Sequence, residues 1–204
     1  VSFMPASRAH DVTHAPDVHP ARHALTSRAL HASLALTIGL LYLTAYGRKW
    51  ATTQLESANW YLLVVHVNLG LLSVALSLGL LVAHLWLPQP PPLGLPRVTR
   101  LAHRGLLAVL LALPVAAYIG TGFDLRVLGQ WTLPSFQRQP LAASLAALFE
   151  VPLITLMEPF GRFHRDWGAD LLLPFLLGGH ITAALFHHLV LKDGALGRIW
   201  SLRR

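Results

Sequence analysis

The chain of 204 residues contains no cysteine and few charged residues, and each absence excludes a class of protein. Without cysteine there can be no disulfide, no thiolate-bound haem, no cysteine-ligated iron–sulfur cluster and no haem attached through a CxxCH motif. Charged residues make up 12% of the sequence, against 54% hydrophobic residues. A soluble domain ordinarily carries about twice that charged fraction, so the composition disfavours a fold surrounded by water.

The charges are missing altogether from four stretches: residues 29–46, 60–87, 106–123 and 171–191. A helix rises about 1.5 Å per residue, so roughly 20 residues cross the hydrocarbon of a bilayer. Unpaired strand edges cannot face lipid, which favours helices over strands. The sequence therefore predicts an all-α membrane protein, a bundle of four transmembrane helices. A soluble bundle of very apolar helices is the alternative.

The longest predicted loop, residues 124–165, lies between spans three and four. Its stretch 141–157 is apolar but contains Glu150 and Pro152, so it is too short and too interrupted to span. This pattern predicts a helix that lies at the membrane interface or caps the bundle. A fifth, re-entrant segment is the alternative.

The basic residues are divided unequally between the two faces of the predicted bundle. Side A, which holds both termini and the loop between spans two and three, has ten Lys and Arg residues against three acids. Side B has six of each, so the whole net charge of +7 lies on side A. The positive-inside rule then predicts that side A and both termini are cytoplasmic. Since the orientation of the protein in the membrane accounts for its excess of basic residues, no nucleic-acid partner is predicted.

Residues 1–28 are predicted to form a tail ahead of a transmembrane domain of residues 29–204. Histidines recur in this tail every four or five residues: His10, His14, His19 and His23. Such spacing can bind a metal, but Pro16 and Pro20 break any helix that would stack the rings. The tail also lacks the apolar stretch of a cleavable signal peptide. We expect it to be cytoplasmic, solvated and poorly ordered.

The histidines within and beside the spans are the candidate site residues. A histidine in hydrocarbon is costly unless its ring nitrogens are engaged, and neutral imidazole is a common ligand of metals and haem iron. His31 and His180 lie in the side A half of spans one and four. His66 lies near side B in span two, and His164 precedes span four on the same side. Depth alone predicts two pairs, each able to bind one haem b iron between facing helices.

Other residues are expected to surround these pairs. His187 follows His180 by seven residues on nearly the same helical face, where it could touch a haem propionate or a quinone headgroup. His103 opens span three at side A, either at the cofactor or as an ordinary interface residue. Gly70, one turn after His66, would let a flat macrocycle approach, though it also suits plain helix packing. Two further histidines are expected to bond to a neighbouring helix or to reach the headgroups: His84 and His188.

The C-terminal string His180-x6-His187-His188-x3-Lys192-Asp193-Gly194 resembles the last helix of bacterial cytochrome b561. The resemblance covers residues 26–204. It includes further pieces in the right order: His31, His66-x3-Gly70, the proline-rich connector of residues 88–92, His103 followed by Pro114, and Leu128-Gly129 leading to Leu133-Pro134.

This resemblance implies a four-helix protein of the bacterial inner membrane that binds two b haems. Members exchange electrons between a quinone, ubiquinone or another, and a second redox partner; one activity of the family is superoxide oxidation. By likeness, His31 and His180 would hold the cytoplasmic-side haem, and His66 and His164 the outer haem. The expected partners are membrane lipid, the quinone, and a redox protein on the periplasmic face or a larger complex. The alternatives are a cytochrome b anchor subunit of a dehydrogenase or hydrogenase, and a non-redox histidine-bearing scaffold or metal transporter.

The spacing of the last two ligands departs from this family. They normally lie fourteen residues apart, whereas His164 and His180 are sixteen apart, which leaves them roughly 160° apart on a regular helix. Either His164 lies on an unwound start of the span, or the region of Pro174 absorbs the difference, or the outer haem is absent or differently ligated. Two haems are expected, and one is possible. Three other positions lack the usual family residue: Ala32, Leu81 and Leu107.

Overall fold

The computed structural model describes residues 25–87, 96–194 and 196–197. The predicted histidine tail up to residue 24, the proline-rich connector of residues 88–92 and the basic residues from 198 onward lie outside the described residues. In chain order the helices and strands are α1 (Leu25–Tyr46), α2 (Ser57–Trp86), α3 (Pro96–Thr121), β1 (Leu125–Val127), β2 (Trp131–Leu133), α4 (Pro140–Phe149), α5 (Leu153–Arg162) and α6 (Leu173–Phe186). Shorter irregular helical stretches extend or join them: the π-helical Gly47–Ala51, Phe163–Leu172 and His187–Leu191, and the 3-10 turn Phe136–Arg138.

Among the residues that the structure describes, four continuous helical stretches are long and apolar enough to cross a membrane: Leu25–Ala51, Ser57–Trp86, Arg97–Thr121 and Leu153–Leu191. The prediction of an all-α membrane bundle is therefore confirmed. Large apolar side chains such as Phe175, 75% exposed, face outward, whereas Ser73 and Ser77 are buried. This inverted distribution suits a lipid solvent, because apolar side chains lose nothing by facing hydrocarbon and small polar ones pack between helices.

Spans one, three and four share the apolar core of the bundle. Its buried members are Leu34, Ile38, Leu106, Val109, Leu110, Leu113 and Leu173. Span two packs chiefly against span one, and its Ser73 and Ser77 are buried. Histidines of spans one, two and four are partly buried within this bundle: His31, His66, His164 and His180.

Spans three and four cross closely near side B. A methyl group added at Gly120 would overlap the backbone of Gly161, and one added at Gly168 would meet the Leu113 side chain and the carbonyl oxygen of Phe163. Only glycine permits backbones to approach so closely. The crossing fixes where the last span begins to pack against α3.

The loop between spans three and four differs from the expectation in two ways. The apolar stretch 141–157 forms two helices, because Glu150 adopts a left-handed conformation (φ 54°) that ends α4, and Pro152 then precedes α5. The second of these helices opens the last span, which begins at Leu153 instead of residue 171.

A short antiparallel hairpin in this loop was not predicted. Leu125 pairs with Leu133 and Val127 with Trp131, and the reversal is made at Leu128 (φ 50°) and Gly129 (φ 71°). Two consecutive positive φ angles make the tight turn whose twist matches paired strands. The hairpin packs against α2, next to the histidine-bearing turn of that helix.

Candidate functional site

The structure brings four of the predicted site residues together as two histidine pairs. The rings of His31 (α1) and His180 (α6) have centroids 6.1 Å apart, and those of His66 (α2) and His164 have centroids 6.2 Å apart. We call them the side A pair and the side B pair. They are the pairs that depth along the spans predicted, and each joins two different spans.

The sixteen-residue spacing is accommodated by a change of helix type. His164 lies in the π-helical stretch Phe163–Leu172, which we call the π segment. Each of its hydrogen bonds spans five residues instead of four, so each turn contains about one residue more than a turn of α-helix. The ten residues of the π segment therefore contain about two residues more than the same number of α-helical turns. Sixteen residues then behave as about fourteen, which on an α-helix fall only about 40° short of whole turns. Both histidines can thus face inward.

Both rings of the side B pair are oriented through Nδ1. His164 Nδ1 lies 3.0 Å from the carbonyl oxygen of Leu113, and His66 Nδ1 lies 3.2 Å from that of Leu41. A carbonyl oxygen can only accept, so in both rings Nδ1 donates its hydrogen. The hydroxyl of Thr44 donates to backbone carbonyls of its own helix and lies 3.1 Å from His66 Nδ1, as a second acceptor. Nε2 of each ring is left with its lone pair.

This arrangement fits a haem iron held between two imidazoles. A histidine nitrogen binds a metal at about 2.0 Å, with the ring centre roughly one bond length beyond, so two ligands on opposite sides have centroids about 6 Å apart. Both pairs have that separation. In histidine-ligated metal sites the second ring nitrogen typically donates to a carbonyl or carboxylate, as it does in the side B pair.

His103 makes the side A pair a cluster of three rings. Its centroid lies 5.0 Å from that of His180, with the ring planes at 71°. This distance is shorter than the roughly 6 Å that two ligands of one iron require. His103 is thus placed beside the side A pair, against the ring of His180, and not opposite it as a ligand.

Glycines leave open space beside both pairs. A methyl group added at Gly70, one turn after His66, would meet no atom within 4 Å, and the same holds at Gly178 and Gly179 beside His180. A pocket of about 380 Å³ adjoins His180, with Ala102 of α3 and the two α6 glycines in its wall. Such space suits a flat cofactor or another apolar ring system.

His187 lies at the side A end of the last span, as expected, but it has a partner in the chain itself. Its Nδ1 lies 2.5 Å from the Asp193 carboxylate, across the left-handed residue Lys192. Only Nε2 would be available to a propionate or a quinone headgroup. His84 and His188 lie on the exposed surface of the bundle.

Sequence reasoning missed Asn68, although an amide within an apolar span is itself a signal. Its side chain donates to the carbonyl of Arg126 (3.0 Å) and accepts from the backbone N–H of Leu128 (2.8 Å). It thereby ties the hairpin to α2, two residues after His66. The hairpin covers side B of the bundle at this point.

One carboxylate of the loop has a clearly shifted pKa. The backbone N–H of Ser135 donates to Asp124 at 2.9 Å, and Arg138 contacts it at 2.8 Å. Both stabilise the charged form and hold the pKa of Asp124 below its usual value, with the Ser135 bond as the main cause. This pair anchors the segment that follows the hairpin.

Comparison with known proteins agrees with these features. The family model described as prokaryotic cytochrome b561 matches residues 22–202. The chain is also similar to cytochrome b561 homolog 1 of Escherichia coli (strain K12), with 25% identity over 190 residues that cover 90% of this chain and 99% of the relative. The family match extends through all four spans and includes both histidine pairs. The chain therefore belongs to the prokaryotic cytochrome b561 family, and it is a bacterial membrane protein of haem b electron transfer.

Proposed function

We propose that this protein holds two b haems, one at each histidine pair, and carries electrons across the membrane between a quinone and a partner at side B. The observation that supports this most directly is the equal spacing of the pairs, 6.1 and 6.2 Å between ring centroids on four separate helical stretches. A bound haem b supplies a one-electron centre, and two such centres at different depths divide the low-dielectric layer into short steps.

The chain's own residues orient the ligands for this task. The carbonyl oxygens of Leu41 and Leu113 fix Nδ1 as the protonated nitrogen of each side B ring. This hydrogen bond directs Nε2 inward and makes the imidazole a stronger electron donor to a metal. The apolar side chains of the spans exclude water, which strengthens electrostatic interactions within the bundle.

Side B offers positive charge suited to an anionic partner such as superoxide. Lys49, Arg138 and Arg162 are paired with acids. Three other arginines of this face have no carboxylate within 4.0 Å among the described residues: Arg48, Arg126 and Arg165.

Each of these three arginines is linked to the side B pair, either by its place in the sequence or by a hydrogen bond. Arg165 follows His164 directly, Arg48 lies one turn beyond Thr44, and the carbonyl of Arg126 is held by Asn68. The face as a whole is neutral, but the local charge of these three arginines would attract a small anion close to the side B pair. Two superoxide ions would each give one electron and leave as dioxygen, while one ubiquinone takes both electrons and two protons to become the quinol.

The quinone is proposed to bind at side A. The pocket beside His180 is lined by apolar side chains and by Gly178 and Gly179, so an isoprenoid quinone could reach it from the lipid. His187 and Asp193 lie farther toward the same end of span four, where water could supply protons. By the excess of basic residues, we propose that side A faces the cytoplasm.

A second candidate function is the cytochrome b subunit of a larger dehydrogenase or hydrogenase complex. Its support is the exposed apolar surface of α4, where Leu148 is 74% and Phe149 59% exposed. Such a subunit would co-purify with a larger redox protein, and the isolated chain would not oxidise superoxide. The non-redox scaffold has no comparable support once the family is known.

The decisive experiment is a reduced-minus-oxidised absorption spectrum of the purified chain with haem quantified per polypeptide. We expect a b-type α band and two haems. Mixing the same sample with superoxide and a soluble ubiquinone analogue should form one quinol per two superoxide ions consumed. Protein without a b-type band would overturn the haem proposal, and haem-loaded protein inert to superoxide would favour the subunit function.

A further inference from the structure

The π segment has a backbone position that its own helix cannot satisfy. The N–H of Leu173 donates to Gly168 O, five residues earlier, as π-helical geometry requires. The next bond of this series would run from residue 174 to Ala169 O. Residue 174 is proline, which has no N–H to donate. The carbonyl of Ala169 therefore lacks its helical donor.

Span one supplies that donor. The Tyr42 hydroxyl donates to the carbonyl oxygen of Ala169 at 2.7 Å. One turn along α1, the Tyr46 hydroxyl donates to Asp170 Oδ1 at 3.1 Å, and Lys49 Nζ lies 3.5 Å from Asp170 Oδ2. Two successive residues of the π segment are thus held from one face of α1.

The tyrosines are themselves held in place by stacking. The rings of Tyr42 and Tyr46 are 5.9 Å apart with planes at 19°, and Tyr46 stacks on Trp50 at 4.4 Å. Residues four apart on a helix are neighbours on one face, so the three rings form one row along span one. Stacking within this row restricts the movement of the two tyrosine rings, so their hydroxyls stay in contact with the π segment.

The register of the π segment decides where His164 points. Were the segment to revert to the commoner α-helix, sixteen residues would turn His164 roughly 160° away from the direction of His180. His66 is contacted by Leu41 O and Thr44, from the same stretch of span one as Tyr42. One stretch of α1 therefore contacts both the ring of His66 and the π segment that contains His164.

We propose that Tyr42 is a positioning residue: its hydroxyl replaces the donor that Pro174 lacks, holds the π register, and so directs His164 toward His66. Tyr46 and Asp170 support the same register. The role of this register in haem binding rests on the proposed function, but the register itself does not.

The first test compares Tyr42→Phe with Tyr61→Phe, an exposed tyrosine of span two, in the full-length protein. Hydrogen exchange of amides 163–172 should become several-fold faster in Tyr42→Phe, while exchange in the part of α2 around Ser77 stays unchanged. The electron paramagnetic resonance signal of the side B haem should broaden or disappear, and that of the side A haem should persist. Tyr61→Phe should match the wild type in every measurement.

A second variant separates positioning from general stability. Deleting the exposed residues Asp166 and Trp167 leaves His164 and His180 fourteen residues apart. At this spacing two side chains of a regular α-helix point in nearly the same direction. In that background, Tyr42→Phe should no longer alter the side B signal, because no π register needs holding. An equal loss with and without the deletion would contradict the positioning role.

The outcomes distinguish this inference from the function on which it builds. Unchanged exchange of the π segment in Tyr42→Phe would overturn the inference even if both haems are present. Faster exchange in a protein whose wild type binds no haem at side B would support the register role and overturn the two-haem proposal.

Discussion

The two histidine pairs have nearly the same separation but are supported in different ways. At side B, both rings donate to backbone carbonyls, those of Leu41 and Leu113, and one ring lies in a π-helix. At side A, His180 lies in regular α-helix and contacts a third ring, that of His103. Equal ring spacing is thus accompanied by hydrogen bonds to two carbonyl oxygens at side B and by contact with a third ring at side A.

The surroundings of the two histidine pairs also differ. The hairpin tied by Asn68 covers side B, and its turn is held where Leu128 adopts a positive φ. At side A, Gly178 and Gly179 border an apolar pocket instead. A covered site favours small water-borne partners, whereas an apolar pocket within a membrane span favours a membrane-soluble one. The asymmetry therefore agrees with the proposed direction of exchange between a small anion and a quinone.

Removing one ligand from each pair should have the largest effect and shows whether the pairs are independent. We expect His180→Ala to lose the side A haem alone and His164→Ala the side B haem alone, because each substitution removes one ring of a single pair. Haem per chain should fall from two to one in each variant. Low-temperature difference spectra, which resolve the two α bands, provide the measurement.

His84→Ala is the matched control for both ligand variants, because His84 is an exposed histidine of span two. It should retain both haems. His103→Ala should also retain both haems, with the side A band shifted. If His164→Ala kept its full haem content, His164 would leave the ligand set and the side B pair would have only a structural role.

Breaking the close crossing of spans three and four should affect side B more than side A. In Gly120→Ala the new methyl group would overlap the backbone of Gly161, and overpacking of this kind costs about 1–3 kcal/mol. Thermal unfolding in detergent should show a lower midpoint, and the side B haem should be lost before the side A haem on heating.

Gly39→Ala is the control for this crossing, since a methyl group there meets no atom within 4 Å. Alanine is preferred over glycine within a helix by about 0.5–1 kcal/mol, so this variant should be neutral or slightly stabilised. Equal destabilisation by both substitutions would mean that the crossing is looser than the structure indicates.

Sequence patterns could predict the depth of each histidine but not its direction. The charge-free stretches placed each histidine toward one side of the bundle, and this was enough to pair His31 with His180 and His66 with His164. They did not show where the last helix begins, because that helix starts at Leu153, well before its charge-free stretch. The direction of His164 depends on helix type, which follows from hydrogen bonds such as Tyr42 to Ala169 between distant segments. The sixteen-residue spacing signalled an irregularity but could not say which one.

The hairpin could not be predicted for a related reason. Its strands have three residues each, too few to show an alternating pattern. What holds it is Asn68, whose bonds to residues of another element have no local signature. Likewise, Glu150 and Pro152 indicated an interruption within the apolar stretch 141–157. Hydropathy could not show that the helix after this interruption continues into the last span.

Thr44→Val tests whether polar anchoring tunes the side B pair. The substitution removes the acceptor 3.1 Å from His66 Nδ1 and keeps the volume, while Leu41 O remains. A hydrogen bond of this kind contributes about 1 kcal/mol, so the reduction potential of the side B haem should shift modestly. Potentiometric titration followed at the α band measures it.

Thr37→Val is the control for this substitution, because the Thr37 hydroxyl bonds to Ser33 O within its own helix. It should leave the side B potential unchanged. A shift of the side A haem in Thr44→Val, equal to that at side B, would show that the effect passes through the whole bundle and not through His66.

The smallest effect is expected from Asp124, which anchors the covering loop of side B. Because its pKa is below the usual value in the folded protein, its contribution to stability is fully present above the unfolded pKa of about 3.9. That contribution is lost as the pH falls through the folded pKa. Protection of the hairpin amides against exchange should therefore hold from neutral pH to about pH 5 and decline only below about pH 4.

Asp124→Asn should weaken this acid dependence, since the amide oxygen can still accept from Ser135 N–H but loses the ion pair with Arg138. Glu150→Gln, at a position without an ion pair among the described residues, should leave it unchanged. Because the pair at Asp124 is on side B, acid should perturb the side B α band before that of side A. Simultaneous loss of both bands on acidification would mean that the hairpin does not protect the side B pair, and the difference between the two sites would then rest on the carbonyl bonds alone.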